Sequence, residues 1–212
     1  MLKWALTSKH PPTKCGYYKT NNIDRKEELD LEFAELILID ARKANNKITL
    51  FGGEPTVAEQ FGDKVQLANK LFDEVYLATQ NREVLGSTEL SSYFDAITFS
   101  SHREQLPIVQ IKTPVYLSVL ANEFSYELFE DAINKGFTGL TINEDQRSGE
   151  RFDGSKLDNI KYLYAIANRD KNNIKKVAQF SIRVNRADKC VNDGEIIILP
   201  DLEQVEDFSE FL

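Results

Sequence analysis

Two adjacent glycines, a carboxylate and a proline follow a run of β-branched and aromatic residues in "KITLFGGEPT", residues 47 to 56. Without Cβ atoms, Gly52 and Gly53 let a ligand come close to the backbone, and Glu54 beside them is placed to touch it. The same string suits a tight turn, with Pro55 fixing the entry to a helix capped by Thr56. A second stretch, "SKHPPTKCGYYK", residues 8 to 19, gathers His10, Lys14, Cys15, Tyr17 and Tyr18. The two tyrosines suit stacking on an adenine or packing over a barrel mouth. The chain has two histidines, His10 and His102, and two cysteines, Cys15 and Cys190. As metal ligands, His10, Cys15 and His102 lack a recognised spacing, so Cys15 reads as an ordinary thiol and Cys190 as structural. Glu54, His102 and Glu144 are the candidates for acid-base chemistry. Arg103, Arg147 and Arg151 suit a carboxylate or phosphate, or surface pairs with Glu104, Glu144 and Glu150.

Such residues act only where secondary structure brings them together. Short β-branched and aromatic runs alternate with segments of helical period, the pattern of parallel βα units. Strands are predicted at "KWALT" (3 to 7), "KITLF" (47 to 51), "EVYLA" (74 to 78), "AITFS" (96 to 100), "VYLSVLA" (115 to 121) and "GLTIN" (139 to 143). A capping box of Asp24 and Glu27 predicts a first helix with Leu29, Phe33, Leu36, Ile37 and Ala41 inward. Thr56 and Glu59 predict a second, with Val57, Phe61, Val65, Ala68 and Phe72 inward. Ser125 opens a third, stapled by Phe124 and Phe129 and stopped at Gly136. Ser155 caps a last one, with Leu157, Ile160, Tyr164 and Ala167 inward. "FSIRV" and "EIIIL" then read as an added hairpin or edge pair.

The expected fold is α/β: a mostly parallel, partial (β/α)6 barrel with a C-terminal hairpin or edge-strand extension, one domain over residues 1–212. Its core should hold Leu36, Ile37, Ile48, Leu50, Val75, Leu77, Ile97, Phe99, Val115, Leu117, Leu140 and Ile142. Ligand sites in parallel sheets lie beyond the carboxyl ends of the strands. There "SKH", "GGEP", "TQN", "SSHRE", "NE" and "EDQR" bring polar groups to one rim, as a polar small molecule requires and as solvated turns also provide.

A chain of 212 residues, 42% hydrophobic, is long enough for one well-buried core. No stretch approaches the roughly 18 uncharged residues of a membrane span, and the first residues hold too short an apolar run for a secretory signal, so a cytoplasmic protein is expected. The net charge of −8 argues against a nucleic-acid coat or an anionic membrane partner.

"FGGEPT" resembles the GGEP motif of the radical SAM superfamily, which ends the second strand and meets the methionine amino group of S-adenosylmethionine. "VYLATQN" resembles the third-strand segment that in many members ends in Thr-Asn-Gly. "YFDAITFSSH" resembles the fourth, ending in Ser with a nearby His. With "GFTGLTINEDQR" the resemblance spans residues 1–150, leaving the last helix and appended strands in 151–212. It implies a pocket of Gly52, Gly53, Glu54, Thr79, Ser100 and Asn143. In that family the loop after the first strand carries Cys-x3-Cys-x2-Cys, which holds a [4Fe-4S] cluster. Aligned from Trp4, the three slots fall at His10, Lys14 and Tyr17; a shift of one rescues Cys15 alone. Cluster iron is held by thiolates, with histidine an occasional substitute, and a protonated lysine has no lone pair to offer.

The resemblance is therefore to a degenerate member, without resident cofactor or metal and with a [4Fe-4S] cluster not expected. Its expected role is a small-molecule-binding or regulatory subunit with a small molecule or protein as partner. S-adenosylmethionine should bind, if at all, at about 0.1 mM or weaker. The alternatives are a radical enzyme with atypical ligation, in which Cys15 and His10 join a partner's ligands, and a nonredox barrel enzyme using Glu54, His102 and Glu144.

Overall fold

A computed structural model describes residues 2–9, 28–101, 105–144, 152–157, 179–185 and 196–198. Eight strands form one sheet in the order β7-β6-β5-β4-β3-β2-β1-β8. They are β1 (Leu2–Ala5), β2 (Lys47–Phe51), β3 (Glu74–Thr79), β4 (Ala96–Ser100), β5 (Val115–Leu120), β6 (Gly139–Asn143), β7 (Ser181–Asn185) and β8 (Ile196–Ile198). The pairings β8 with β1, β1 with β2, β2 with β3, β5 with β6 and β6 with β7 are all parallel. The fold is α/β and the sheet is open, as a partial barrel requires. Each of the six expected strands is present to within a residue or two. The C-terminal extension takes the edge-strand form: β7 lies beside β6 and β8 beside β1, and neither pairs with the other.

Strand side chains alternate between buried and half-buried in β2 to β5, so one face packs against helices. Ile48, Leu50, Val75, Leu77, Ile97, Phe99, Val115, Leu117, Leu140 and Ile142 are all buried, as expected.

The helices follow their caps more than their patterns. Helix α1 (Leu31–Ala41) begins at Asp30, whose carboxyl accepts from the Glu32 and Phe33 amides. The Asp24 box falls outside the described residues. Ala34, Ile37, Leu38 and Ala41 face inward, whereas Leu36, expected in the core, is 68% exposed. Its neighbours explain this: Ile37 and Leu38 lie nearest the inward stripe, and Leu36 lies on the opposite side of the helix.

Thr56 caps no helix. Pro55–Val57 is a single 3-10 turn capped by Glu54, and α2 (Phe61–Leu71) starts after Gln60, which is left-handed at φ 53° and makes no side-chain cap bond. Val57 is accordingly exposed, while Val65, Ala68 and Phe72 are buried. A short α3 (Thr88–Ser91) precedes β4. The α4 helix (Tyr126–Asn134) starts at Ser125, whose hydroxyl accepts from the Leu128 amide at 3.2 Å, and ends before Gly136 at φ 88°. Phe124 and Phe129 are both buried there. At residue 155 the helix has already begun, and the Asp153 carboxyl accepts from the Ser155 amide; Ile160, Tyr164 and Ala167 lie outside the described residues.

The chain divides into two compact units. One holds Met1–Asn81, Glu89–Ile97 and Gly194–Leu212, with β8, β1, β2 and β3 and the helices α1 and α2. The other holds Arg82–Thr88 and Thr98–Asp193, with β5, β6, β7 and α4. In the second, Phe129 meets Phe180 edge-on at 5.4 Å and Phe124 meets Phe152 likewise at 5.4 Å.

Candidate functional site

At the carboxyl ends of β1 and β2 the two chains continue side by side past the strands. The Leu6 amide donates to the Phe51 carbonyl, the Gly53 amide to Thr7 and the Glu54 amide to Lys9, each at 2.8 Å. Gly52 sits at φ 137°, a region open to glycine, and a Cβ there would overlap the Thr7 carbonyl oxygen. A Cβ on Gly53 would overlap the Lys9 carbonyl. Both glycines are thus required by the chain's own β1 loop, which approaches the backbone where a ligand's approach was expected.

Glu54 is 3% exposed. Its Oε1 accepts from the Thr79 hydroxyl at 2.6 Å, the Thr56 hydroxyl at 2.8 Å and the Thr56 amide at 3.2 Å, and its Oε2 accepts from the Gln80 amide at 2.7 Å. Thr79 Oγ1 in turn accepts from the Asn81 amide at 2.9 Å. Four donors on one buried carboxyl group make a strut that joins the turn after β2 to the end of β3. The structure thus joins Glu54 and Thr79 by a hydrogen bond, with Gly52 and Gly53 just before Glu54 packed against the β1 loop.

A second buried group escaped sequence reasoning. Glu28 and Lys64 side chains are 8% and 2% exposed, and Lys64 Nζ lies 2.6 Å from Glu28 Oε2. The Glu59 amide donates to the same oxygen at 2.8 Å, and Lys9 Nζ lies 3.4 Å from Oε1. Burial acts to raise the Glu28 pKa, but hydrogen bonds from Lys64 and Thr7 and the Lys64 charge outweigh it, and the net displacement is downward. The signal was present: Lys64 stands at the i, i+4 and i+7 spacing with Ala68 and Leu71 on the inward stripe of α2, where a lysine requires a buried acid.

Of the remaining candidates, Asn143 and Glu144 are engaged within their own unit. Ser100 ends β4 and Asn143 ends β6, where Asn143 Nδ2 donates to Ser118 Oγ at 2.9 Å and to the Val119 carbonyl at 3.3 Å. Glu144 is 6% exposed and its Oε1 accepts from the Phe152 amide at 2.9 Å. His10, Lys14, Cys15, Tyr17, Tyr18, His102, Arg103, Arg147, Arg151 and Cys190 lie outside the described residues.

Whether a [4Fe-4S] cluster fits is decided by donor chemistry. Three thiolates are needed, and this chain has Cys15 and Cys190 only. Among the described residues, no group of three or more histidines, cysteines and carboxylates is placed to hold a metal ion. The donor set does not fit the cluster.

No protein-family model and no curated protein matches the sequence. Solved structures do match in fold. Streptococcus suis SuiB superimposes with a TM-score of 0.57 at 15% identity over 87% of this chain and 49% of SuiB. SuiB bound to S-adenosylmethionine gives 0.56 at 12% identity over 87% of this chain and 47% of SuiB. SuiB bound to its precursor peptide SuiA gives 0.55 at 12% over 87% and 48%. The chain spans about half the length of these proteins, and the likeness is one of fold. No helix among the described residues is long and apolar enough to cross a membrane.

Proposed function

We propose that this chain is a degenerate radical SAM-like domain that works without a [4Fe-4S] cluster of its own, as a binding or regulatory subunit for a protein or small-molecule partner. The observation that carries this reading is the donor set. The slots for three thiolates hold His10, Lys14 and Tyr17, and two cysteines in the whole chain cannot supply three thiolates in any register. The packing at the GGEP string supports it. Backbone amides of Gly53 and Glu54 are bonded to the β1 loop, and the Glu54 carboxyl is engaged by four donors of its own chain. One neighbour in fold is bound to a precursor peptide and another to S-adenosylmethionine, so a peptide segment and a small molecule both suit as the partner.

The test is anaerobic reconstitution with iron and sulfide, followed by iron analysis, an absorption spectrum and a titration with S-adenosylmethionine. Substoichiometric iron, no cluster absorption and a dissociation constant of about 0.1 mM or weaker are expected. About four irons per chain, lost on Cys15→Ala, would overturn the reading in favour of atypical ligation.

A further inference from the structure

Helix α1 presents two exposed apolar residues, Leu36 and Ile39, on the side opposite its buried face. Glu32, Leu36 and Ile39 in α1 and Lys43 two residues past its end follow at spacings of four, three and four residues, the seam spacing of a helix that packs against another helix. Leu36 is 68% exposed and Ile39 47%. Beside Ile39 lies a surface depression of about 350 Å³ lined by Ile39, Arg42, Lys43 and Leu71.

The stripe is self-complementary. Acid stands at its amino-terminal end, base at its carboxyl-terminal end, and two branched aliphatic residues flank its midpoint. A two-fold axis through that midpoint lays a second α1 antiparallel on the first. Leu36 then meets Ile39 of the second copy and fills the depression beside it. Glu32 meets the second copy's Lys43, and on one flank Glu35 comes beside the second copy's Arg42. The existing partners do not oppose this. Lys43 bridges Asp40 at 2.6 Å, Arg42 reaches Asp73 at 3.6 Å and Glu35 bridges Lys70 at 2.7 Å, all exposed pairs of small worth that can be shared or exchanged. Macrodipoles also align favourably in an antiparallel pair.

We propose that α1 is the contact of an isologous homodimer, its occupant a second copy of this chain. The charge pattern selects that occupant, because a generic apolar groove needs no acid and base placed symmetrically about its centre. One helix pair buries less than the roughly 1,000 Å² of a stable specific interface, so the dimer is weak, with a dissociation constant on the order of tens to hundreds of micromolar. This inference does not rest on the functional reading above and survives its failure.

Sedimentation velocity across that concentration range tests it. The wild-type chain should move from monomer to dimer, and Leu36→Lys should remain monomeric with an unchanged melting temperature. Glu32→Lys, which opposes two lysines across each end, should weaken association about ten-fold, and adding Lys43→Glu should restore it. A wild-type monomer throughout the range overturns the proposal, and a Leu36→Lys variant of lowered melting temperature would assign the face to another segment of this chain. Dimerisation that ignores Leu36→Lys, or a charge reversal that is not rescued, also overturns it.

Discussion

A single carboxyl group decides how the GGEP string is read. A ligand-binding Glu54 would keep acceptors turned to solvent and could be removed without loss of stability. Here it is buried and accepts from Thr56, Thr79 and Gln80, so its removal strands two backbone amides and two hydroxyls. Glu54→Ala should therefore destabilise the protein by about 2–4 kcal/mol in urea denaturation, with Glu54→Gln costing roughly half as much because one acceptor remains. Unchanged stability in both variants would return Glu54 to the list of ligand groups. Gly53→Val is a poor probe of ligand approach for a related reason: its Cβ would displace the Lys9 carbonyl before any ligand arrived. From the string alone, two glycines before a carboxylate are compatible with a ligand or with another strand's continuation. Only the position of the β1 loop separates them, and that position is a long-range fact that no local pattern encodes.

Strands were more legible than helix ends. Apolar alternation located β1 to β6 within a residue or two because each run has one buried face and is bounded by turn residues. Helix starts depend instead on which of several acceptors happens to close the first turn. Ser125 was readable because its hydroxyl accepts from the Leu128 amide within its own first turn, whereas Thr56 spends its hydroxyl on Glu54 and leaves α2 to begin at Gln60. That residue holds φ 53°, which costs a non-glycine side chain about 1–2 kcal/mol. Glycine there removes the strain but gains about 0.4–1 kcal/mol of unfolded-chain entropy. Gln60→Gly should thus stabilise the protein by roughly 0.5–1 kcal/mol, seen as a higher urea midpoint with unchanged slope. A lower midpoint would mean that the Gln60 side chain makes a contact worth more than the strain. Leu36 shows the limit of periodicity at this scale. In "LEFAELILIDA" apolar residues occur on both sides of α1, and the pattern cannot say which side is core.

For the molecule as a whole, carboxylates held in their charged form by hydrogen bonds and ion pairs shape the response to acid. Glu28 is held below the ordinary carboxylate range, as are Glu74 by Lys47 and Tyr76, Glu127 by its own amide and Ser125, and Asp153 by Ser155. Each of these groups is deprotonated in the folded chain at a pH where the unfolded chain already binds a proton. Stability from them is complete above the ordinary carboxylate pKa of about 4.3 and is lost as pH falls through the lower folded values. Glu28 differs from the other three in being buried against Lys64, a pairing that spans from the segment before α1 to the middle of α2. Removing its charge leaves an ammonium group without compensation, so Glu28→Gln should cost about 3–5 kcal/mol at neutral pH. Lys64→Met in the same background should recover much of that loss, since the stranded charge goes with it. Urea titrations from about pH 7 to pH 3 then carry the sign. Wild-type stability should fall below about pH 4.5, and the gap between wild type and Glu28→Gln should narrow over the same interval as Glu28 takes up its proton. A gap that stayed constant through that interval would mean that packing, not charge, holds Glu28 and Lys64 together.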